Sequence, residues 1–171
     1  MLACIRAHAG QVRKDLGVPY AVHPIAVAKL VAQLGIAEPA VLVAALLHDV
    51  VEDTTVTLAD VALEHGADVA ACVRELTHAP GADKAAYLAG FAGASVEALV
   101  IKIADRYDNV LDYVRVNRGD KAARYSASAS GLYDAVDTRL SEIGHRFGAR
   151  AAAGAQSWVR ELRAIARGED A

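Results

Sequence analysis

The stretch Leu46-Leu47-His48-Asp49-Val50-Val51-Glu52-Asp53-Thr54 sets one imidazole and three carboxylates at the end of an apolar run. That run, Pro39 to Val51, reads as a buried helix. An unpaired carboxylate in such surroundings costs several kcal/mol, so the cluster demands a cation or dense hydrogen bonding. On a helix, His48 and Asp49 stand about 100° apart and can straddle one metal ion. Glu52 and Asp53 follow them by four residues, so each pair shares a face. The competing reading is a frayed helix end with solvated acids.

A second stretch, Val100-Ile101-Lys102-Ile103-Ala104-Asp105-Arg106-Tyr107-Asp108-Asn109, adds to the first. Asp105, Asp108, Asn109 and Asp112 form one polar stripe on a largely apolar helix, which is either a solvated face or the wall of a polar site. With His23 from a preceding loop, the chain can offer His23, His48, Asp49 and Asp105 to one centre. Two imidazoles and two carboxylates suit a divalent transition metal such as Mn, Fe, Co or Zn, with positions left for water. A structural zinc site would be closed and richer in thiolate. Such a metal acidifies bound water and polarises a phosphoryl oxygen. Glu52 and Asp53 are then candidates to orient that water or take its proton.

The elements that must position these groups are helices. Met1 to Lys14 has helical spacing, and Asp15 to Pro24 reads as a loop carrying Tyr20 and His23. A helix starts at Pro24 and stops at Gly35, and the next starts at Glu38-Pro39. Thr57-Leu58-Ala59-Asp60 resembles a capping box for a short helix ending at Gly66, followed by helices over 68–76 and 83–91. Ser95 caps a long helix running to about Val116. Two more helices are expected, about 122–147 with an interruption near Gly131, and about 151–167. Period-2 alternation is nowhere sustained, so the expected fold is all-α, one domain over residues 1–171.

Composition narrows the class. Hydrophobic residues make up 54% and charged residues 23% of the 171 positions, as in a soluble globular chain. Aromatics are only 5% against abundant Ala, which favours closely packed helices. A net charge of −3 without a basic run argues against nucleic acid, while leaving room for a small anionic ligand. Cys4 and Cys72 stand alone, forming neither a zinc motif nor a disulfide framework. With no membrane-length apolar run and no leader pattern, the expectation is a cytoplasmic protein without membrane attachment. His8 reads as a satisfied packing residue and Cys4 and Cys72 as buried small apolar groups. Trp158 anchors the last helix or serves a contact in a homo-oligomer.

His23, His48-Asp49 and Asp105 resemble the H…HD…D pattern of the HD-superfamily metal phosphohydrolases. More narrowly, Arg13-Lys14…Pro19-Tyr20…His23-Pro24, His48-Asp49-Val50-Val51-Glu52-Asp53-Thr54 and Lys102-Ile103-Ala104-Asp105-Arg106…Asn109 are similar to the hydrolase domain of RelA/SpoT enzymes. By its size the chain is most similar to the stand-alone small alarmone hydrolases. The resemblance implies an all-α fold and one Mn2+ on His23, His48, Asp49 and Asp105. It implies removal of the 3′-pyrophosphate of ppGpp or pppGpp, a guanine nucleotide substrate, leaving GDP or GTP. Glu52 and Asp53 would position the attacking water, and Arg13, Lys14, Tyr20 and Asn109 would bind substrate.

The chain also departs from that pattern. Leu76-Thr77-His78-Ala79-Pro80-Gly81-Ala82-Asp83-Lys84 replaces a more acidic, lysine-bearing stretch, and 85–94 has few basic residues. Tyr107-Asp108 replaces a more usual apolar-then-polar pair. The alternatives are the same chemistry on another phosphorylated nucleotide (ppApp, or NADPH at its 2′-phosphate) and a nucleotide-sensing module without turnover.

Overall fold

The computed structural model describes residues 1–169, so the expected domain boundary at residue 171 lies outside the described residues. Among these the chain is all-α: twelve α-helices and one 3-10 turn, with no strand beyond an isolated bridge between Val12 and Pro19.

The central element is α8, Val96–Arg115. Ser95 caps it, its hydroxyl accepting the Ala98 N–H at 3.1 Å, while the Glu75 carboxylate accepts the Ser95 N–H. Glu97 in the first turn and Arg115 in the last complement the helix dipole. Leu99, Val100, Ile101, Ile103, Ala104 and Val110 are all fully buried. The helices α2 (Val22–Gln33), α6 (Ala67–Leu76), α9 (Gly119–Ala127), α10 (Ser130–Thr138), α11 (Leu140–Phe147) and α12 (Ala149–Ala166) pack around it. Surrounded in this way, the polar stripe cannot be a solvated face. Asp105, Asp108 and Asp112 are 6%, 5% and 6% exposed, and they wall an internal site.

α3, Pro39–Leu47, lies between α2 and α6. Pro at its first position loses no helical hydrogen bond, and Ala44 and Ala45, both fully buried, permit the close approach. The capping box predicted at Thr57 is formed, with Thr57 and Asp60 bonding reciprocally at the start of α5, Leu58–His65.

Three elements differ from the sequence expectation. The first helix, α1, spans only Leu2–Ala7, and Arg13 and Lys14 lie on the following loop. Gly10 takes φ +80 there, and the loop folds back through Arg13 N–H to Val18 O (2.9 Å) and Tyr20 N–H to Gln11 O (2.9 Å). The region 119–147 is divided into α9, α10 and α11 by tight turns. Ala129 N–H bonds Ser126 O at 3.0 Å and Arg139 N–H bonds Val136 O at 3.1 Å, with no proline to announce either break. The run 83–91 is a helix only over α7, Lys84–Ala89, and tightens into the 3-10 turn Gly90–Ala92.

Candidate metal centre

His48 and Asp49 sit at a joint rather than at the end of one helix. α3 stops at Leu47, and α4 resumes over Val50–Asp53. Asp49, at φ −101 and ψ −7, is the N-cap of α4, and its carboxylate lies beside the His48 ring. His23 does not come from a loop. It lies in the first turn of α2, which begins at Val22, and Pro24 is tolerated one position later because first-turn N–H groups have no helical partner.

These elements bring three ligand atoms, one each from His23, His48 and Asp105, within 4.8 Å of one another. His23 Nε2 lies 3.1 Å from Asp105 Oδ1 and 3.6 Å from Asp49 Oδ2. His48 Nε2 lies 3.1 Å from Asp49 Oδ2 and 3.7 Å from Asp105 Oδ1. Two ligands of one ion with bonds of about 2.1 Å stand about 3.0 Å apart at a right angle and about 3.4 Å apart at the tetrahedral angle. The imidazole–carboxylate separations fall around those values.

The tautomer of His48 sharpens the fit. Its Nδ1 is 2.9 Å from the Ala45 carbonyl oxygen, which can only accept, so Nδ1 carries a proton. Nε2 is fully buried and makes no hydrogen bond, although Asp49 Oδ2 lies 3.1 Å and Asp105 Oδ1 3.7 Å away. A bare nitrogen lone pair facing two carboxylates is repulsive, so the position takes either a proton or a metal cation. Without a metal, burial favours the neutral ring, but Asp49 and Asp105 outweigh it and push His48 up to about 10. Burial likewise opposes the charge on His23, yet hydrogen bonds to Asp105 and Asp108 raise it. Burial disfavours the Asp49 and Asp105 carboxylates, but the imidazoles hold Asp49 well below the usual carboxylate range, and Lys102 with both imidazoles does the same for Asp105. Every group is arranged for a site of positive charge, and the donors fit a divalent ion.

The supporting contacts are dense. Lys102 Nζ meets Asp105 Oδ2 at 2.9 Å, Asn109 Nδ2 donates to Asp105 Oδ1 at 2.5 Å, and Tyr20 OH donates to Asp49 Oδ2 at 2.7 Å. Tyr20 and Asn109, expected from the resemblance to contact substrate, hydrogen-bond Asp49 and Asp105, the two carboxylates of the expected metal set. The role of Lys102 is not among the sequence expectations; its signals are its place in the Lys102–Asn109 stretch and its spacing three residues before Asp105. His8 is buried as expected but only half satisfied: Nδ1 meets Gln11 at 2.7 Å while Nε2 has no partner, and its ring packs 4.8 Å from that of Tyr20.

Beside the centre lies a cleft of about 360 Å³ lined by Arg13, Lys14, Tyr20, Asp53 and Asn109 among others. Arg13 is held at its edge, donating to Asn109 Oδ1 at 3.1 Å and Asp112 Oδ2 at 2.5 Å, while Lys14 is exposed. Asp53 is exposed on the cleft, and Glu52 is exposed with its carboxylate accepting the His78 N–H at 2.9 Å. The divergent segment after Leu76 thus reaches the carboxylate that follows the His-Asp pair.

The HD domain family matches residues 2–141, and the chain belongs to that family. Its relatives narrow the resemblance. Human "guanosine-3′,5′-bis(diphosphate) 3′-pyrophosphohydrolase MESH1" is 51% identical over 74 residues, 42% of this chain and 41% of that one. A Streptomyces coelicolor "GTP pyrophosphokinase" is 37% identical over 129 residues, 70% of this chain and 15% of that one. The chain thus spans less than half the length of either. A solved structure of "a metazoan ortholog of SpoT", said to hydrolyse ppGpp, superposes with a TM-score of 0.78 at 29% identity. It covers 98% of this chain and 92% of its own.

Proposed function

We propose that this chain, as one hydrolase domain over residues 1–171, removes the 3′-pyrophosphate of ppGpp or pppGpp. Mn2+ is the metal, held by His23, His48, Asp49 and Asp105. The observation that carries the reading is the buried Nε2 of His48, without a partner and facing two carboxylates, beside a cleft with a guanidinium and an ammonium at its rim. The likeness to relatives named for this reaction, one of them matched along nearly its whole length, supports the choice of substrate.

The metal, when bound, supplies Lewis-acid polarisation of the phosphoryl oxygen and lowers the pKa of water. The chain's own groups do the rest. Arg13 and Lys14 bind the anionic nucleotide, Arg13 with planar hydrogen bonds and Lys14 as a point charge. Asn109, already holding Asp105 and Arg13, sets the nucleotide against the centre. Tyr20 fixes the orientation of Asp49. Glu52 and Asp53 orient the attacking water and accept its proton. Water adds across the phosphorus–oxygen bond at the ribose 3′ position, giving pyrophosphate and a free 3′-hydroxyl. Two buried free cysteines fit a reducing cytoplasm, and no helix among the described residues is long and apolar enough to cross a membrane.

The test is a panel of ppGpp, pppGpp, ppApp and NADPH offered to Mn2+-loaded protein, with products separated by ion-exchange chromatography. GDP and pyrophosphate from ppGpp are expected. Turnover confined to another member would move the substrate, and none at all would end the catalytic reading for these compounds.

A further inference from the structure

The last carboxylate of the polar stripe without an assigned role is Asp108. Its Oδ2 lies 2.7 Å from His23 Nδ1, and the two residues are 5% and 1% exposed. Among the described residues this is the only hydrogen bond or ion pair its carboxylate makes. Its neighbours on the stripe are engaged elsewhere: Asp105 with Lys102, and Asp112 with Arg13 and Arg115. Asp105 and Asp108, three residues apart on α8, therefore grip the two nitrogens of one imidazole, Nε2 and Nδ1. Facing a carboxylate on each side, the ring holds a proton on both nitrogens; a cation at the centre would displace the one on Nε2, while Asp108 keeps the other on Nδ1 and the ring directed at the centre. The two histidines are held differently, since His48 Nδ1 donates only to the neutral Ala45 carbonyl.

We propose that Asp108 is a positioning residue of the metal centre, fixing the tautomer and direction of His23 through the Asp108–His23 hydrogen bond and making Nε2 the stronger donor. This rests on the metal-centre reading above. A carboxylate behind a metal-binding imidazole raises its basicity and costs roughly 10–100-fold in affinity when removed. A buried acid that merely packed would show its loss in folding stability instead.

The two roles separate in a Mn2+ titration of chelated protein, with free Mn2+ followed by electron paramagnetic resonance. Melting with and without Mn2+ is measured alongside. Asp108→Asn keeps an oxygen that can accept from Nδ1–H but removes the charge, and Asp108→Ala removes both. The expected order of affinity is parent, then Asp108→Asn, then Asp108→Ala, with the weaker variants about 10–100-fold down. Asp112→Asn, which removes the same charge one turn along without touching an imidazole, stays close to the parent. If Asp108→Ala fails to fold, the near-isosteric Asp108→Asn decides. Parent-like affinity in Asp108→Asn and Asp108→Ala, or in the former alone where the latter does not fold, would overturn the proposal. A parent that takes up no Mn2+ would overturn it together with the metal-centre reading. A parent that binds Mn2+ and cleaves no nucleotide would count against the hydrolase reading alone, with the affinity order still deciding the role of Asp108.

Discussion

Replacing His48 by Gln separates what the imidazole does for the fold from what it does for the metal. In chelated protein His48 is an imidazolium between Asp49, 3.1 Å away, and Asp105, 3.7 Å away. The rise from the usual 6.5 to about 10 corresponds to a favourable interaction of at most about 5 kcal/mol. Breaking a buried ion pair costs about 3–5 kcal/mol. His23 and Lys102 remain as counter-charges, so the lower figure, about 3 kcal/mol, is expected. For a chain of this size that is a fall of roughly 6–12 °C in Tm. The sign with pH follows from the raised value. The contribution is complete below about pH 6.5, where the unfolded imidazole is also charged, and is lost as pH rises through about 10. The gap between parent and variant should therefore narrow from pH 6 to pH 9.5. With Mn2+ at about 100 times its Kd the parent gains about 2.7 kcal/mol, whereas His48→Gln gains far less. Scanning calorimetry of both proteins, chelated and Mn2+-loaded, reads all four states. An equal Mn2+-induced rise in parent and variant would refute the assignment of His48 as a ligand. A pH-independent gap would refute the charged pair.

Other outcomes follow from the same geometry. Arg13→Ala should raise KM for ppGpp about 10-fold or more with kcat little changed, because a charge-assisted hydrogen bond contributes about 1.5–3 kcal/mol; steady-state kinetics check this, and an unchanged KM would remove Arg13 from the pocket. Glu52→Gln should lower kcat by about 10²–10⁴-fold while leaving Mn2+ affinity intact; an unchanged kcat would exclude a role in water activation. Burial pushes the Cys4 thiol up to about 11 and Cys72 up to about 12, so at pH 8 neither is appreciably thiolate. Ellman's reagent should label neither cysteine in the native protein and both in denaturant. Fast labelling of the native state would contradict their burial.

The sequence carries the site more fully than the fold that builds it. The spacing of His23, His48-Asp49 and Asp105 is visible because each lies in a locally distinctive stretch, and the caps at Thr57 and Ser95 have side chains that declare themselves. The joint at His48-Asp49 is hidden, since Val50-Val51 carry the apolar run on past it and no Gly or Pro marks the break. The sequence pattern puts His23 in a loop because Pro24 reads as the first helical residue, whereas a first turn admits proline beyond its first position. The interruption expected near Gly131 falls at Ser128-Ala129, and Gly131 itself lies in the first turn of α10. A Cβ there would come within 3.1 Å of Ala89 Cβ, so its role is the close approach of α7 and α10. The part played by Asp108 depends on α2 bringing His23 against α8, which no local pattern encodes. The same holds for the unsatisfied Nε2 of His8.

The most direct test of the central claim is ppGpp cleavage by three samples: the chelated parent, the parent resupplied with Mn2+, and Asp49→Ala resupplied with Mn2+. Nucleotide and pyrophosphate are both quantified. GDP and pyrophosphate should appear in equal amounts only from the Mn2+-loaded parent. Equal turnover in all three states would show that cleavage does not pass through this centre.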